Sequence, residues 1–301
     1  MQNNNISTQL ILNDAVNNIK EMVNDKFDVI NIGKPSDLDY AIFMSKIESK
    51  ISSIVGNMIE YAMAQHLNDT SSFSNIGNWQ RQDPDFPDNV FISNELTETP
   101  GIEVKAWYPL ATEITARFKP SQSILKPNNP LLVLVAWLPE FILHGQPQII
   151  GVKIIPAMEL AKSRDNHYFN PPSYLVVEPE NTSDRTKNLQ QRNVNGFKSQ
   201  NWNDEQAKKA LKFLESSNII SHNYQLTNNI QNGIKYLLHH FDYREETNFA
   251  KINRIKNPSV KEFKENIMAK TIHGKPISYW SHISKDETVV KYYYDKIVNG
   301  N

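Results

Sequence analysis

The chain has 301 residues and a mass of 34.7 kDa, with 32 Lys and Arg against 33 Asp and Glu and no cysteine. That length can bury one large core or two small ones. The near-neutral balance excludes a protein that coats nucleic acid through bulk charge, though not a local basic groove, and the lack of Cys excludes disulfides, thiolate zinc, iron–sulfur clusters and thiol catalysis.

In chain order, MQNNNISTQL has neither the cationic nor the apolar stretch of a secretion signal. The longest apolar run, Leu131 to Leu138, falls far short of the ~20 residues that span a bilayer, so the expectation is a soluble cytoplasmic protein with no membrane partner. Apolar residues recur at helical spacing from Leu10 to Val23. They do so again between Asp37 and Leu67, through Ile42, Phe43, Ile47, Ile51, Ile54, Val55, Met58, Ile59 and Ala62. A polar, turn-rich stretch from Asn68 to Trp79 ends that second helix.

The period then drops to two. Ile102, Val104 and Ala106 alternate with Glu103, Lys105 and Trp107, which predicts a half-buried strand. Glu113 to Phe118 reads as a second strand. Leu131 to Trp137, apolar throughout, reads as a central strand covered on both faces. A strand over Ile149 to Ile155, a short helix over Pro156 to Lys162 and a strand over Tyr174 to Glu178 follow. From Asn203 the pattern is helical: Asp204 to Glu215, capped by Asn203 or Asp204, then Asn228 to His240, Ser259 to Ala269 and Thr288 to Val298. The fold class expected is α/β (α+β), a central mixed β-sheet flanked by helices with a helical C-terminal region. The organisation expected is a core of residues 1–200 followed by a mostly helical subdomain of residues 201–301.

Four positions carry chemistry together: Glu60 in VGNMIEYA, Asp85 in QDPDFPDN, and Glu103 with Lys105 in GIEVKAW. On a strand Glu103 and Lys105 project from one face, about 7 Å apart along the chain. Asp85 lies in a Pro-bracketed turn from which a hairpin return brings it alongside Glu103. Two carboxylates and the Val104 carbonyl form a hard oxygen site suited to Mg²⁺, a cation that binds a scissile phosphate and acidifies a bound water. Lys105 can hold the attacking water or neutralise the phosphorane. Glu60, on the polar face of the preceding helix, can orient the lysine or a metal-bound water. The competing readings are a solvated ion-pairing strand face, an Asx turn at Asp85 and a solvent-facing helix stripe at Glu60. Trp107 either walls the site or packs under a flanking helix.

Pro-Asp followed by Glu-x-Lys on a strand resembles the PD-(D/E)xK nuclease superfamily. A helix bearing Gly56-Asn57-Met58-Ile59-Glu60 precedes the motif, as in many members. Pro109-Leu110-Ala111-Thr112-Glu113-Ile114-Thr115 resembles MutH-like nicking endonucleases and their restriction-enzyme relatives. Ser183 to Leu189 looks like a segment of BglI, and the order of PDF, ExK, a buried strand and IGVKII is similar to EcoRV. The resemblance covers roughly residues 45 to 200. It implies a restriction-endonuclease-like fold and a type II restriction endonuclease, which makes Mg²⁺-dependent double-strand cuts at specific DNA sequences, with Mn²⁺ as an accepted substitute. Carried over, Asp85, Glu103 and Lys105 are the metal-binding and catalytic set, the Val104 backbone carbonyl is a further metal ligand, and Glu60 is auxiliary. Asp83 and Asp88 are rivals to Asp85, which is preferred because Pro84 precedes it and Phe86 follows.

The candidate for reading bases lies between Asn181 and Lys198. It offers Arg185, Lys187, Arg192 and Lys198 against the single acid Asp184, with Asn181, Thr182, Ser183, Asn188, Gln191 and Asn193 among its polar residues. Arg can fork onto guanine and Asn or Gln onto adenine, while Lys meets phosphates. A second basic region, Lys251, Arg254, Lys256, Lys261, Lys264 and Lys270, reads as a solvated helix face before it reads as a DNA contact. The resemblance further implies a homodimer on palindromic double-stranded DNA, with a cognate DNA methyltransferase in the same locus. The alternatives are a MutH-like nicking or repair endonuclease and a non-catalytic, sequence-specific DNA-binding protein.

Overall fold

Side-chain caps set where the first helices begin. In the computed structural model, which describes residues 6–28, 30–82, 85–120, 124–169 and 246–300 together with Glu205 and Lys212, Ser7 accepts the Leu10 N–H and opens helix α1 (Thr8–Glu21). The Asp37 carboxylate accepts the Tyr40 N–H at 2.7 Å and opens α2 (Leu38–Ile47). The long helical pattern expected up to Leu67 is interrupted by one 3₁₀ turn, Glu48–Ile51, before α3 (Ser52–Thr70). The strands that follow are β1 (Asn78–Arg81), β2 (Asn89–Ile92), β3 (Gly101–Trp107), β4 (Arg117–Pro120), β5 (Leu131–Pro139) and β6 (Pro147–Pro156). Helix α4 (Ala157–Phe169) comes next, then β7 (Glu246–Lys251), α5 (Pro258–Ala269) and a two-residue hairpin, β8 (Thr271–Ile272) with β9 (Lys275–Pro276). The short α6 (Ile277–Trp280) and α7 (Glu287–Tyr293), the latter running into a π-helical turn over Tyr294–Val298, complete the described chain.

The chain divides into two units. Met1–Ala116, Asn128–Ala157 and Pro258–Asn301 form the first, and Arg117–Pro127 with Met158–Asn257 the second. The boundary expected near residue 200 lies outside the described residues, and the last stretch of chain belongs with the first unit.

The first unit holds a mixed five-stranded sheet in the order β1-β2-β3-β5-β6. Strands β1, β2 and β3 run antiparallel in turn, β5 lies parallel to β3, and β6 returns antiparallel to β5. Every residue of β5 is buried, as its unbroken apolar run predicts, and each fully buried Leu, Ile or Val contributes about 1.5–3 kcal/mol. Consecutive residues on β3 face opposite ways, and both faces meet a helix. A methyl at Gly56 of α3 would stand 3.6 Å from the Ala106 Cβ, and the Trp107 ring meets Phe263 of α5 edge-on at 6.1 Å. Gly101, Ile102, Glu103 and Val104 are all buried, so β3 is covered on both sides where alternation predicted one wet face. Trp107 packs under a helix, and among the described residues its indole N–H has no acceptor.

Two four-residue strands, β1 and β2, lie where no strand was expected; NWQR carries too little apolar signal over too short a length. The strand expected from Glu113 instead starts at Arg117. Pro109 opens a 3₁₀ turn over Pro109–Ala111, Thr112 takes a left-handed φ of 61°, and only then does the chain extend. Glu48, inside the 3₁₀ turn, is buried with Oε2 accepting the Tyr108 hydroxyl at 2.7 Å and Oε1 without a hydrogen-bond partner among the described residues. Burial pushes its carboxyl up to about 8, with the Tyr108 hydrogen bond pulling the other way.

In the second unit β4 pairs antiparallel with β7. Arg164 of α4, fully buried, donates to the Lys119 and Pro120 carbonyls at 3.0 and 2.9 Å and lies 5.6 Å over the Phe118 ring. The strand expected over Tyr174 to Glu178 and the helix over Asn228 to His240 lie outside the described residues, as does the Asp204 to Glu215 helix apart from Glu205 and Lys212, both helical. Among the described residues no helix is long and apolar enough to cross a membrane.

Candidate active site

The β1–β2 hairpin decides which acid reaches β3. Its loop is closed by Gln82, whose backbone N–H donates to the Asp88 carbonyl and whose side chain donates to the Pro87 carbonyl, both at 2.9 Å. Asp88 therefore stands at the base of the loop, next to the first residue of β2. The antiparallel register pairs Asn89 with Ile102 and Val90 with Gly101, so one step back sets Asp88 beside Glu103. Gly101 allows this approach: a Cβ there would lie 2.5 Å from Pro87 Cγ and 3.1 Å from Pro130 Cβ.

At that point side chains replace the strand ladder. The Val104 N–H donates to Asp88 Oδ2 at 2.7 Å, and the Asp88 N–H donates to Glu103 Oε2 at 3.2 Å. Lys105 Nζ lies 2.5 Å from Glu103 Oε1 and 3.7 Å from Asp88 Oδ2. Both carboxylates thus face one ammonium group at the edge of β3. In an extended strand the N–H and C=O of a residue leave on the same edge, so the Val104 carbonyl points to this edge as well.

Glu60 approaches from α3. Its carboxylate accepts Arg81 Nη2 at 3.0 Å, and Arg81 also donates to Asn57 Oδ1, one helical turn earlier, at 2.9 Å. The Glu60 carbonyl accepts the Asn89 side chain at 3.3 Å. Asn68 fixes the helix to β1 by exchanging both hydrogen bonds with the Trp79 backbone, at 2.8 and 2.7 Å.

Electrostatics follow from this crowding. Glu103 is 6% exposed; burial pushes its carboxyl up to about 7, Asp88 adds to that, and Lys105 opposes it. For Lys105, burial works against the charge, but Glu103, Asp88 and Glu60 outweigh it and the net shift is upward. Burial, with Asp88 adding, raises Glu60 while Arg81 and Lys105 oppose.

Of the residues expected, Glu103, Lys105 and the Val104 backbone meet, the acid that joins them is Asp88, and Glu60, bonded to Arg81, acts on them only as a nearby charge. Asp85 is exposed at the loop tip and takes no part in the bonds that tie Asp88, Glu103 and Lys105. Asp83 lies outside the described residues, as does the whole base-reading candidate, Asn181 to Lys198 with Arg185, Lys187 and Arg192. In the second basic region Lys261 pairs with Glu265 at 3.8 Å and Lys270 donates to the Ile150 carbonyl at 2.8 Å. Sequence reasoning missed Arg81, Asn57 and Asn89. A signal for Asp88 was present: it directly precedes NVFI, the half of the hairpin with strand character.

The site's donors are hard oxygens: two carboxylates and one carbonyl on neighbouring strands. Among the described residues no three or more His, Asp or Glu side chains gather as a metal cage. Mg²⁺ does not require one, since it is commonly held by one or two carboxylates and keeps several waters. The two carboxylates already converge on a cation, the Lys105 ammonium, and such a pair fits a small divalent ion. No known protein family, curated protein or solved structure matches this chain.

Proposed function

We propose that this protein is a Mg²⁺-dependent endonuclease that hydrolyses phosphodiester bonds of double-stranded DNA, in the manner of a type II restriction enzyme, with Mn²⁺ as an accepted substitute. The observation that carries this reading is the meeting of Asp88, Glu103 and Lys105 across two neighbouring strands, with Glu60 arriving from α3. On this reading the mixed sheet with α3 beside β3 is a restriction-endonuclease-like core. Asp88, Glu103 and the Val104 carbonyl would hold the metal, which would polarise the scissile phosphate and acidify a water. Lys105, kept charged by three acids, orients that water and offsets the charge that develops on the phosphate oxygens. Hydrolysis forms a bond from the water oxygen to phosphorus, breaks the bond to O3′ and leaves a proton on the 3′ oxygen. Glu60 holds Arg81 and adds negative field at Lys105. A homodimer on a palindrome, a cytoplasmic location and a cognate methyltransferase that protects host DNA belong to the same reading.

The test is digestion of phage and supercoiled plasmid DNA with Mg²⁺, run beside Lys105→Ala. Discrete fragments are expected from the wild type, and a loss on the order of 10²–10³-fold in the variant, the usual size for one electrostatic stabiliser. Nicked circles without linear product would favour a MutH-like nicking or repair enzyme. A second reading rests on how completely Lys105 is satisfied by Glu103 and Asp88: the trio is then a structural ion cluster in a non-catalytic, sequence-specific DNA-binding protein. DNA that is bound, with steep salt dependence, but never cut, by either form, is the result expected from that second reading.

A further inference from the structure

One ammonium group stands where the candidate site would take its metal. Lys105 Nζ lies 2.5 Å from Glu103 Oε1 and 3.7 Å from Asp88 Oδ2. Mg²⁺ sits about 2.0–2.1 Å from its oxygen ligands, so an ion shared by those two oxygens takes the volume that the ammonium fills. Two of the three groups are fixed in place. Glu103 Oε2 accepts the Asp88 N–H at 3.2 Å and Asp88 Oδ2 accepts the Val104 N–H at 2.7 Å, which ties each carboxylate to the main chain across from it. The third group can move. Lys105 carries its charge on a flexible four-carbon stem, and its side chain is 19% exposed against 8% for Glu103.

We propose that Lys105 is the resident counter-ion of the metal position: its ammonium holds Glu103 and Asp88 together in the metal-free chain, and a divalent ion enters by displacing it. Without a cation between them, two carboxylates would face each other in a buried place, where each disfavours the other's charge. The ammonium removes that repulsion and lets the hairpin close on β3 before any metal arrives. The same contact then weakens metal binding. An incoming ion must break the Lys105 ion pairs and accept a positive neighbour, and like charges brought together oppose binding. Displacement carries the ammonium outward, because Glu103 on its inner side is buried, and Glu60 still balances its charge from α3. Lys105 thus gates the site while it is empty of metal and becomes the cation that meets a phosphate once metal has entered. This rests on the metal set of the endonuclease reading but not on cleavage.

Titration calorimetry of the full chain with Mg²⁺, in the absence of DNA, tests it. Lys105→Met is expected to bind Mg²⁺ at least about tenfold more tightly than the wild type, a modest return for removing one like charge from a buried contact. Lys105→Arg keeps the charge and should bind no more tightly than the wild type. Adding Glu103→Gln to Lys105→Met should abolish the gain, which places the bound ion at this pair. Thermal melts give a second readout, since an ion that binds only the folded chain stabilises it. Mg²⁺ should raise the melting temperature of Lys105→Met more than that of the wild type, even where the unpaired carboxylates make the metal-free variant less stable. A Lys105→Met that binds no tighter, a Lys105→Arg that gains equally, or a chain that takes up no Mg²⁺ in any form would each overturn the proposal. Tighter Mg²⁺ binding by Lys105→Met in a protein that cuts no DNA would sink the endonuclease reading alone. Cleavage by the wild type with no gain in affinity would sink the gate alone.

Discussion

Asp88 and Asp85 are three positions apart and differ in everything around them. Asp88 sits where the hairpin closes and receives the Val104 N–H, while Asp85 stands exposed at the loop tip. If the endonuclease reading holds, Asp88→Asn removes one of two carboxylates from the donor set and should lower cleavage at least 10²-fold, the scale of losing one stabilising group. Asp85→Asn should stay within a fewfold of wild type in the same plasmid assay. The reverse ranking would move the site to the loop tip. Glu103 adds a pH dependence. Its carboxyl is raised to about 7, chiefly by burial, and a carboxylate must lose its proton before it holds a cation. Mg²⁺ affinity, read by titration calorimetry, should therefore rise as pH climbs from 6 to 8, and the midpoint of cleavage against pH should move lower as Mg²⁺ is increased.

At the scale of elements, the 3₁₀ turn between α2 and α3 does more than join two helices. It turns Glu48 inward, where one carboxyl oxygen meets Tyr108 and the other has no hydrogen-bond partner among the described residues. An ordinary glutamate titrates near 4.5 and this one near 8, so between those values the folded chain holds a proton that the unfolded chain has released. The resulting contribution is fully present below about 4.5 and is lost as pH rises through about 8, at roughly 1.4 kcal/mol per pH unit. Glu48→Gln keeps the shape and removes the titration. Thermal melts should coincide for the two proteins near pH 5, and at pH 8.5 the variant should melt several degrees higher. Parallel pH profiles would show that Glu48 is not held neutral in the fold.

At the scale of the whole molecule, the first unit is discontinuous in sequence. Its last segment brings Phe263 against Trp107 and supplies Trp280 and Tyr293, both fully buried, the latter with its hydroxyl 2.6 Å from His144 Nδ1. Removing one such aromatic from a core typically costs about 3–5 kcal/mol, against a total stability of about 5–15 kcal/mol for a domain. A chain ending at residue 257 should therefore lose cooperative unfolding in a thermal melt and its near-ultraviolet circular dichroism. A fragment of residues 1–200, the domain expected from sequence, should fail in the same way. Sharp melting of either would show that residues 258–301 are dispensable to the core.

What was legible in the sequence was whatever depends on neighbours a few residues away. The period of 3.6 located α1, α3 and α5, the period of two placed Glu103 and Lys105 on one face of β3, and the unbroken apolar run marked β5 as covered on both sides. These follow from backbone geometry, which the local chain alone enforces. The strands β1 and β2 escaped because each is only four residues long, too short to establish a period, and with them went the hairpin register that brings Asp88 rather than Asp85 to Glu103. The burial of Glu48, the hold of Glu60 on Arg81 and the return of residues 258–301 to the first core were equally hidden. Each is a meeting of residues tens to hundreds of positions apart, and such meetings are set by strand register and by helices closing over the sheet, quantities that exist only once the chain has folded.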